Sequence, residues 1–252
     1  MINIAADTGY DSVSARTIPM GLLGEKTFDI SRDRILFRSV QNAIRETNIQ
    51  LDSIENARII DNLDVNEYEP CLAVAAELGV KHVLSNIWTN DEVYYTEKFH
   101  ELCELASKYK QTIDLEFVTW ASVATLGDAV RLLKKIKCDN ARIILDTLHF
   151  YRSNIPLEEI KSVPVSWLQC VHICDAPLEI PTDPKTLAQT AREERLLPGE
   201  GVIKIADIVS KMPVDATRGI EIPNIKRLGE YGVKEYARLA LEKTKNYLRN
   251  AV

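Results

Sequence analysis

Short β-branched or apolar runs alternate with longer amphipathic stretches from one end of this 252-residue sequence to the other. No other feature constrains the fold as much, because strands that return through helices must pair in parallel. The runs Asp11–Arg16, Gln50–Ile60, Val80–Ile87, Thr112–Val118, Ala141–Leu148, Leu168–Cys174 and Arg218–Ile222 read as strands. Between them, apolar residues recur three and four apart, each set giving a helix one face to lay on a sheet. The sets are Leu36, Val40, Ala43 and Ile44; Phe99, Leu102, Cys103 and Ala106; Leu126, Ala129, Val130 and Leu133; and Val233, Tyr236, Ala237 and Ala240. No linker-like stretch interrupts the pattern, so residues 1–252 are expected to form one domain.

Seven strands joined by helices fit either a (β/α)8 barrel or a doubly wound open sheet. A barrel would be one strand short. Met1–Thr8, closed by Gly9, reads as the tail of a helix entering the strand at Asp11, so the absent strand would precede it. Unpaired strand edges at such a seam would need cover from a terminal segment, a loop or a second subunit, which makes a homo-oligomer an expectation.

Composition narrows the function. With 46% hydrophobic residues the chain can bury a core without disulfides. Its five cysteines, Cys71, Cys103, Cys138, Cys170 and Cys174, are odd in number and scattered, as reduced thiols of a cytoplasmic protein would be. Acidic residues outnumber basic ones by 37 to 31 and no basic stripe appears, which argues against a nucleic-acid partner. No apolar run reaches the ~18 residues of a membrane span, and the first residues lack a charged stretch followed by an apolar core, so a soluble protein not exported by that route is expected.

The chemistry sits at the strand ends, where the loops of a parallel barrel gather. Four strand candidates finish on a metal-competent side chain: Glu116, Asp146, His172 and Glu221. Side chains two apart share a face of a strand. Leu115 and Phe117, Val171 and Ile173, and Ile220 and Ile222 therefore point the other way, toward helices, and leave Glu116, His172 and Glu221 facing inward. An ionised carboxylate there is costly unless a cation or hydrogen bonds compensate it. Three carboxylates and one imidazole suit one divalent ion, Mn²⁺, Mg²⁺, Co²⁺ or Zn²⁺.

The runs Leu145-Asp-Thr-Leu-His-Phe-Tyr-Arg152, Val171-His-Ile-Cys-Asp-Ala-Pro177 and Glu194-Arg-Leu-Leu-Pro-Gly-Glu-Gly201, followed by Glu221, resemble the xylose isomerase-like TIM-barrel family of sugar and sugar-phosphate isomerases and epimerases. The resemblance implies an α/β (β/α)8 barrel that here lacks its first strand. It implies Glu116, Asp146, His172 and Glu221 as metal ligands, with His149 and Arg195 on substrate oxygens. It also implies a small-molecule substrate, a sugar or keto acid. Proton transfer beside a carbonyl needs a base, an acid and a group that stabilises the enediolate; Glu116 and Glu221 would be the base and acid.

Weaker candidates surround that set. A capping or packing role is the alternative for His149, and a solvated place among Arg192, Glu193 and Glu194 is the alternative for Arg195. Arg16 could bind an anionic substrate group or form a surface ion pair. Trp120, like Trp88, could wall a sugar or pack at the rim. Asp175 is read as a partner for an imidazole or for Arg195, with loop capping as the alternative. Cys170 and Cys174 read as barrel filling, and His82 and His100 as remote from the site.

A dehydratase acting on an inosose or on dehydroshikimate would use the same metal and a similar enolate, and a non-catalytic sugar- or metal-binding barrel would look alike. An abasic-site endonuclease of this fold is disfavoured, since its zinc cluster needs more histidines than the four present.

Overall fold

The computed structural model describes residues 1–20, 25 and 28–250, and all seven expected strands form within them. They are β1 (Ser12–Arg16), β2 (Gln50–Glu55), β3 (His82–Ser85), β4 (Thr112–Glu116), β5 (Ala141–Asp146), β6 (Leu168–Ile173) and β7 (Thr217–Ile220). Their order in the sheet is β1-β2-β3-β4-β5-β6-β7, and β1–β2, β2–β3, β3–β4, β5–β6 and β6–β7 pair in parallel. A doubly wound sheet would reverse its order part-way. This one never does, so the topology is that of a barrel with seven strands among the described residues.

The helices are α1 (Ile2–Thr8), α2 (Arg34–Thr47), α3 (Glu69–Glu77), α4 (Glu92–Ser107), α5 (Leu126–Ile136), α6 (Thr147–Arg152), α7 (Pro184–Glu193), α8 (Ile205–Val209) and α9 (Ile225–Asn250). None is long and apolar enough to cross a membrane. Two differences from the sequence reading have clear causes. β5 stops at Asp146 instead of Leu148, because the Asp146 carboxylate accepts from the Leu148 and His149 amides and starts α6 there. The stretch before Arg195, which carries none of the apolar sets read as helices, holds α7, capped by Asp183 with Pro184 in its first turn.

The chain divides into two compact units, Met1–Glu116 with Arg131–Arg142, and Phe117–Val130 with Ile143–Val252. In the first, Gly9 ends α1 at φ +89°, and Ile2, Ala5 and Ile49 are buried against Val40, Ala43 and Ile44 of α2. Those three α2 residues belong to the apolar set that marked the helix in the sequence. The same unit carries a polar chain across β1 and β2, in which Ser53 donates to Ser14 and Ser14 to Glu55.

In the second unit β5, β6 and β7 run in register, with Asp146 beside His172 and His172 beside Gly219. The ends of β5 and β6 are also joined by one hydroxyl. Thr147 Oγ1 donates to the Cys174 carbonyl at 2.8 Å and accepts from the Cys174 amide at 3.0 Å, all of it buried. Thr147→Val keeps the shape and strands two buried backbone groups. Each such group costs about 1–3 kcal/mol, so a loss of about 2–6 kcal/mol is expected in urea unfolding, and a near-neutral result would show that other partners reach the site.

Candidate active site

Asp146 is the best-fixed residue of the site. It is fully buried at the end of β5, with Oδ1 capping α6 and Oδ2 accepting from Arg195 Nη1 at 2.6 Å. A guanidinium that close answers the charge of the buried carboxylate with a charge-assisted hydrogen bond. His172 stands next to it on β6, and its ring has room because the neighbour on β7 is Gly219. A Cβ at 219 would come within 2.8 Å of His172 Cδ2.

Glu221 follows β7, two residues beyond Gly219, and its amide donates to the Ile173 carbonyl at 3.2 Å. Its side chain keeps 38% of its exposure, yet Oε2 itself is buried and has no aligned hydrogen-bond donor. Two cation-competent groups stand near that oxygen, His172 Nδ1 at 3.2 Å and Arg195 Nη1 at 3.2 Å. Burial opposes ionisation, but the charge of Arg195 and the His172 ring overcome it and hold the Glu221 carboxyl well below the usual range. Glu116 closes β4, is buried, and is peptide-bonded to Phe117, the first residue of the second unit. Taking one ligand atom from each of Glu116, Asp146, His172 and Glu221, all lie within 4.8 Å of one another. A buried, unsatisfied carboxylate oxygen within a set of three carboxylates and an imidazole suits a divalent cation.

Arg195 is not the solvated arginine of a charged run. It is 5% exposed, and Nε donates to the Ala191 carbonyl at 2.8 Å. Its backbone is held as firmly: the amide donates to Pro223 O, and the carbonyl accepts from Asn224 Nδ2 at 3.0 Å. His149, in α6, is buried with Nδ1 3.3 Å from Thr119 Oγ1, and Trp120 meets its ring edge-on at 5.1 Å. Packing of Trp120 therefore falls on a candidate site residue. Cys174 lies 3.5 Å from Arg195, but burial pushes its thiol up to about 12, so it stays protonated.

Two expectations change. Asp175 partners neither an imidazole nor Arg195: Oδ1 accepts from the Ala176 and Ile203 amides, and Oδ2 from those of Gly199 and Gly201. Gly201 is required there, since a Cβ would sit 2.1 Å from Ala176 O, and Gly199 takes φ +90°. The Pro-Gly-x-Gly run thus wraps its backbone around an internal anion, the loop-capping alternative for Asp175. Arg16, in the first unit, makes the ion pair that was its alternative, with Nη2 3.4 Å from Glu55 Oε2. Sequence reasoning missed Gly219, whose only signal is a glycine inside a strand, and Thr147, whose hydroxyl carries no motif.

Burial pushes the His149 imidazole down to about 4. The unfolded chain then holds this proton more tightly than the folded one between about pH 4 and 6.5. In the metal-free protein the His149 contribution is fully present above about pH 6.5 and is lost as pH falls toward 4, an effect of order 3 kcal/mol. Unfolding midpoints across that range should flatten in His149→Asn; an unchanged profile would refute the assignment.

A family model described as xylose isomerase-like TIM barrel matches residues 2–247. Inosose isomerase of Halalkalibacterium halodurans is 24% identical over 217 residues, covering 80% of this chain and 73% of that protein. Inosose isomerase of Bacillus subtilis is 26% identical over 154 residues, covering 56% of this chain; this chain spans only 52% of its length. Among solved structures, that of IOLI protein with a binding zinc atom superposes with TM-score 0.81 at 19% identity, covering 100% of this chain and 92% of that one. At that identity the likeness establishes the fold.

Proposed function

Since the chain belongs to the xylose isomerase-like TIM barrel family, we propose that it is a divalent-metal-dependent isomerase of polyhydroxylated ketones, with an inosose the favoured substrate. The observation that carries this reading is the grouping of Glu116, Asp146, His172 and Glu221 within 4.8 Å. The inosose isomerase relatives support the substrate class, and the zinc of the IOLI structure supports a metal. Two arginines of the second unit, Arg152 and Arg195, are already committed to protein partners, which favours a neutral substrate over a sugar phosphate. Arg152 is spent on Leu187 O and Thr190 Oγ1, and Arg195 faces two carboxylates.

Glu116, Asp146, His172 and Glu221 would hold the ion. When bound, a divalent ion there supplies Lewis-acid polarisation of the carbonyl oxygen and its neighbouring hydroxyl. Glu221, held ionised by Arg195, takes the proton from the carbon beside the carbonyl, and the substrate becomes an enediolate. Glu116, entering the step protonated, gives its proton to the former carbonyl carbon while the neighbouring hydroxyl passes its own to the former carbonyl oxygen; the ketone moves one position along, and the proton left on Glu221 exchanges with solvent before the next turnover. His149, kept neutral by burial, can donate to or accept from a substrate hydroxyl without adding charge, and Trp120 offers an apolar edge beside it.

The test is turnover of inososes and a ketose panel in deuterated water, followed by NMR. Activity should vanish with a chelator and return with Mn²⁺, and isomerised product should carry deuterium on carbon. Glu116→Gln and Glu221→Gln should each lower kcat by about 10²–10⁴-fold with the fold intact. Full activity in either variant would overturn the acid and base roles. Loss of water in place of isomerisation would make the enzyme a dehydratase, and Mn²⁺ binding with no turnover would make it a binding barrel.

A further inference from the structure

Arg195 is placed as no substrate-binding arginine needs to be. One nitrogen, Nη1, meets two proposed metal ligands at once, Asp146 Oδ2 at 2.6 Å and Glu221 Oε2 at 3.2 Å, and also the Glu221 carbonyl at 3.2 Å. Its Nε and its backbone are anchored away from the ligands. Nε is tied to the last turn of α7, and the amide and carbonyl to Pro223 and Asn224 beyond β7. Next along the chain, Leu196 and Asp175 exchange both backbone hydrogen bonds at 2.9 Å, and the amides around Asp175 hold that loop in turn. A guanidinium fixed by its own backbone and by Nε cannot swing out when another cation arrives.

Building on the metal-dependent reading above, we propose that Arg195 is a resident counter-cation: it keeps the metal-free carboxylate cluster assembled and, by staying in place, weakens and so sets the affinity for the divalent ion. Without it, carboxylates that share a site would repel one another or take up protons. With it, Asp146 and Glu221 stay aimed at one point, and an incoming ion shares them with a positive charge that does not leave. Arg195 is in this sense a positioning residue acting through Asp146 and Glu221. A purely structural role would have the opposite signature, since a loosened loop would bind metal less well.

The experiment compares wild type, Arg195→Met and Arg195→Lys by Mn²⁺ titration calorimetry and by thermal unfolding, metal-free and at saturating Mn²⁺. For Arg195→Met the Mn²⁺ Kd should fall about tenfold or more. Its metal-free Tm should drop by more than its Mn²⁺-saturated Tm. Arg195→Lys, which keeps the charge, should stay within about threefold of the wild-type Kd. Equal or weaker Mn²⁺ binding in Arg195→Met overturns the proposal, as does an equal drop of both Tm values or a failure to fold even with Mn²⁺. If wild type binds Mn²⁺ and Arg195→Met binds no tighter, only the Arg195 role falls. If wild type binds no Mn²⁺, the metal-dependent reading falls and takes this one with it.

Discussion

Acidic groups brought together on neighbouring strand ends repel one another, and most of what surrounds them answers to that repulsion. Two unit charges 4.8 Å apart in an effective dielectric of about 20 cost roughly 3 kcal/mol. A cluster of three such groups calls for compensation beyond hydrogen bonds of ordinary strength. The α6 amides on Asp146 answer part of that demand. So does the single nitrogen shared between Asp146 and Glu221.

The compensation is rigid because it is built from main chain. Helix α6 begins at the residue that also serves the site, so shifting Asp146 would unwind its first turn. The Cys174 peptide is satisfied on both sides by Thr147, which locks the end of β6 to the residue after Asp146. Gly219 contributes by lacking a side chain, and the His172 ring occupies the space a Cβ would take. The geometry of the candidate site thus rests on strand register and backbone bonds more than on side-chain packing.

The sequence made the strands and their inward faces legible because both are local. Val171 and Ile173 are fully buried on either side of His172, as are Leu115 and Phe117 beside Glu116, which is the period-two pattern read directly. The part that escaped depends on partners far along the chain. Arg195 sits among charged neighbours, and only its contact with Asp146, 49 residues away, reveals it as buried. For Asp175 loop capping was one of two readings, and the choice between them lies with amides up to 28 residues on. Helix α6 was hidden for another reason: Leu148 and Phe150 suit a strand as well as a helix, and the cap at Asp146 decides between them.

The Asp175 loop has one further implication. Its anion is met by peptide N–H groups at 199, 201 and 203, which any residue other than proline would supply, while only the glycines are sterically demanded. Positions 198, 200 and 202 alternate with these and give Asp175 nothing. The exposed side chain at 202 can thus change, and with it the character of the rim, without removing a donor from Asp175, whereas Glu200 is committed to the Leu197 amide and to Arg227.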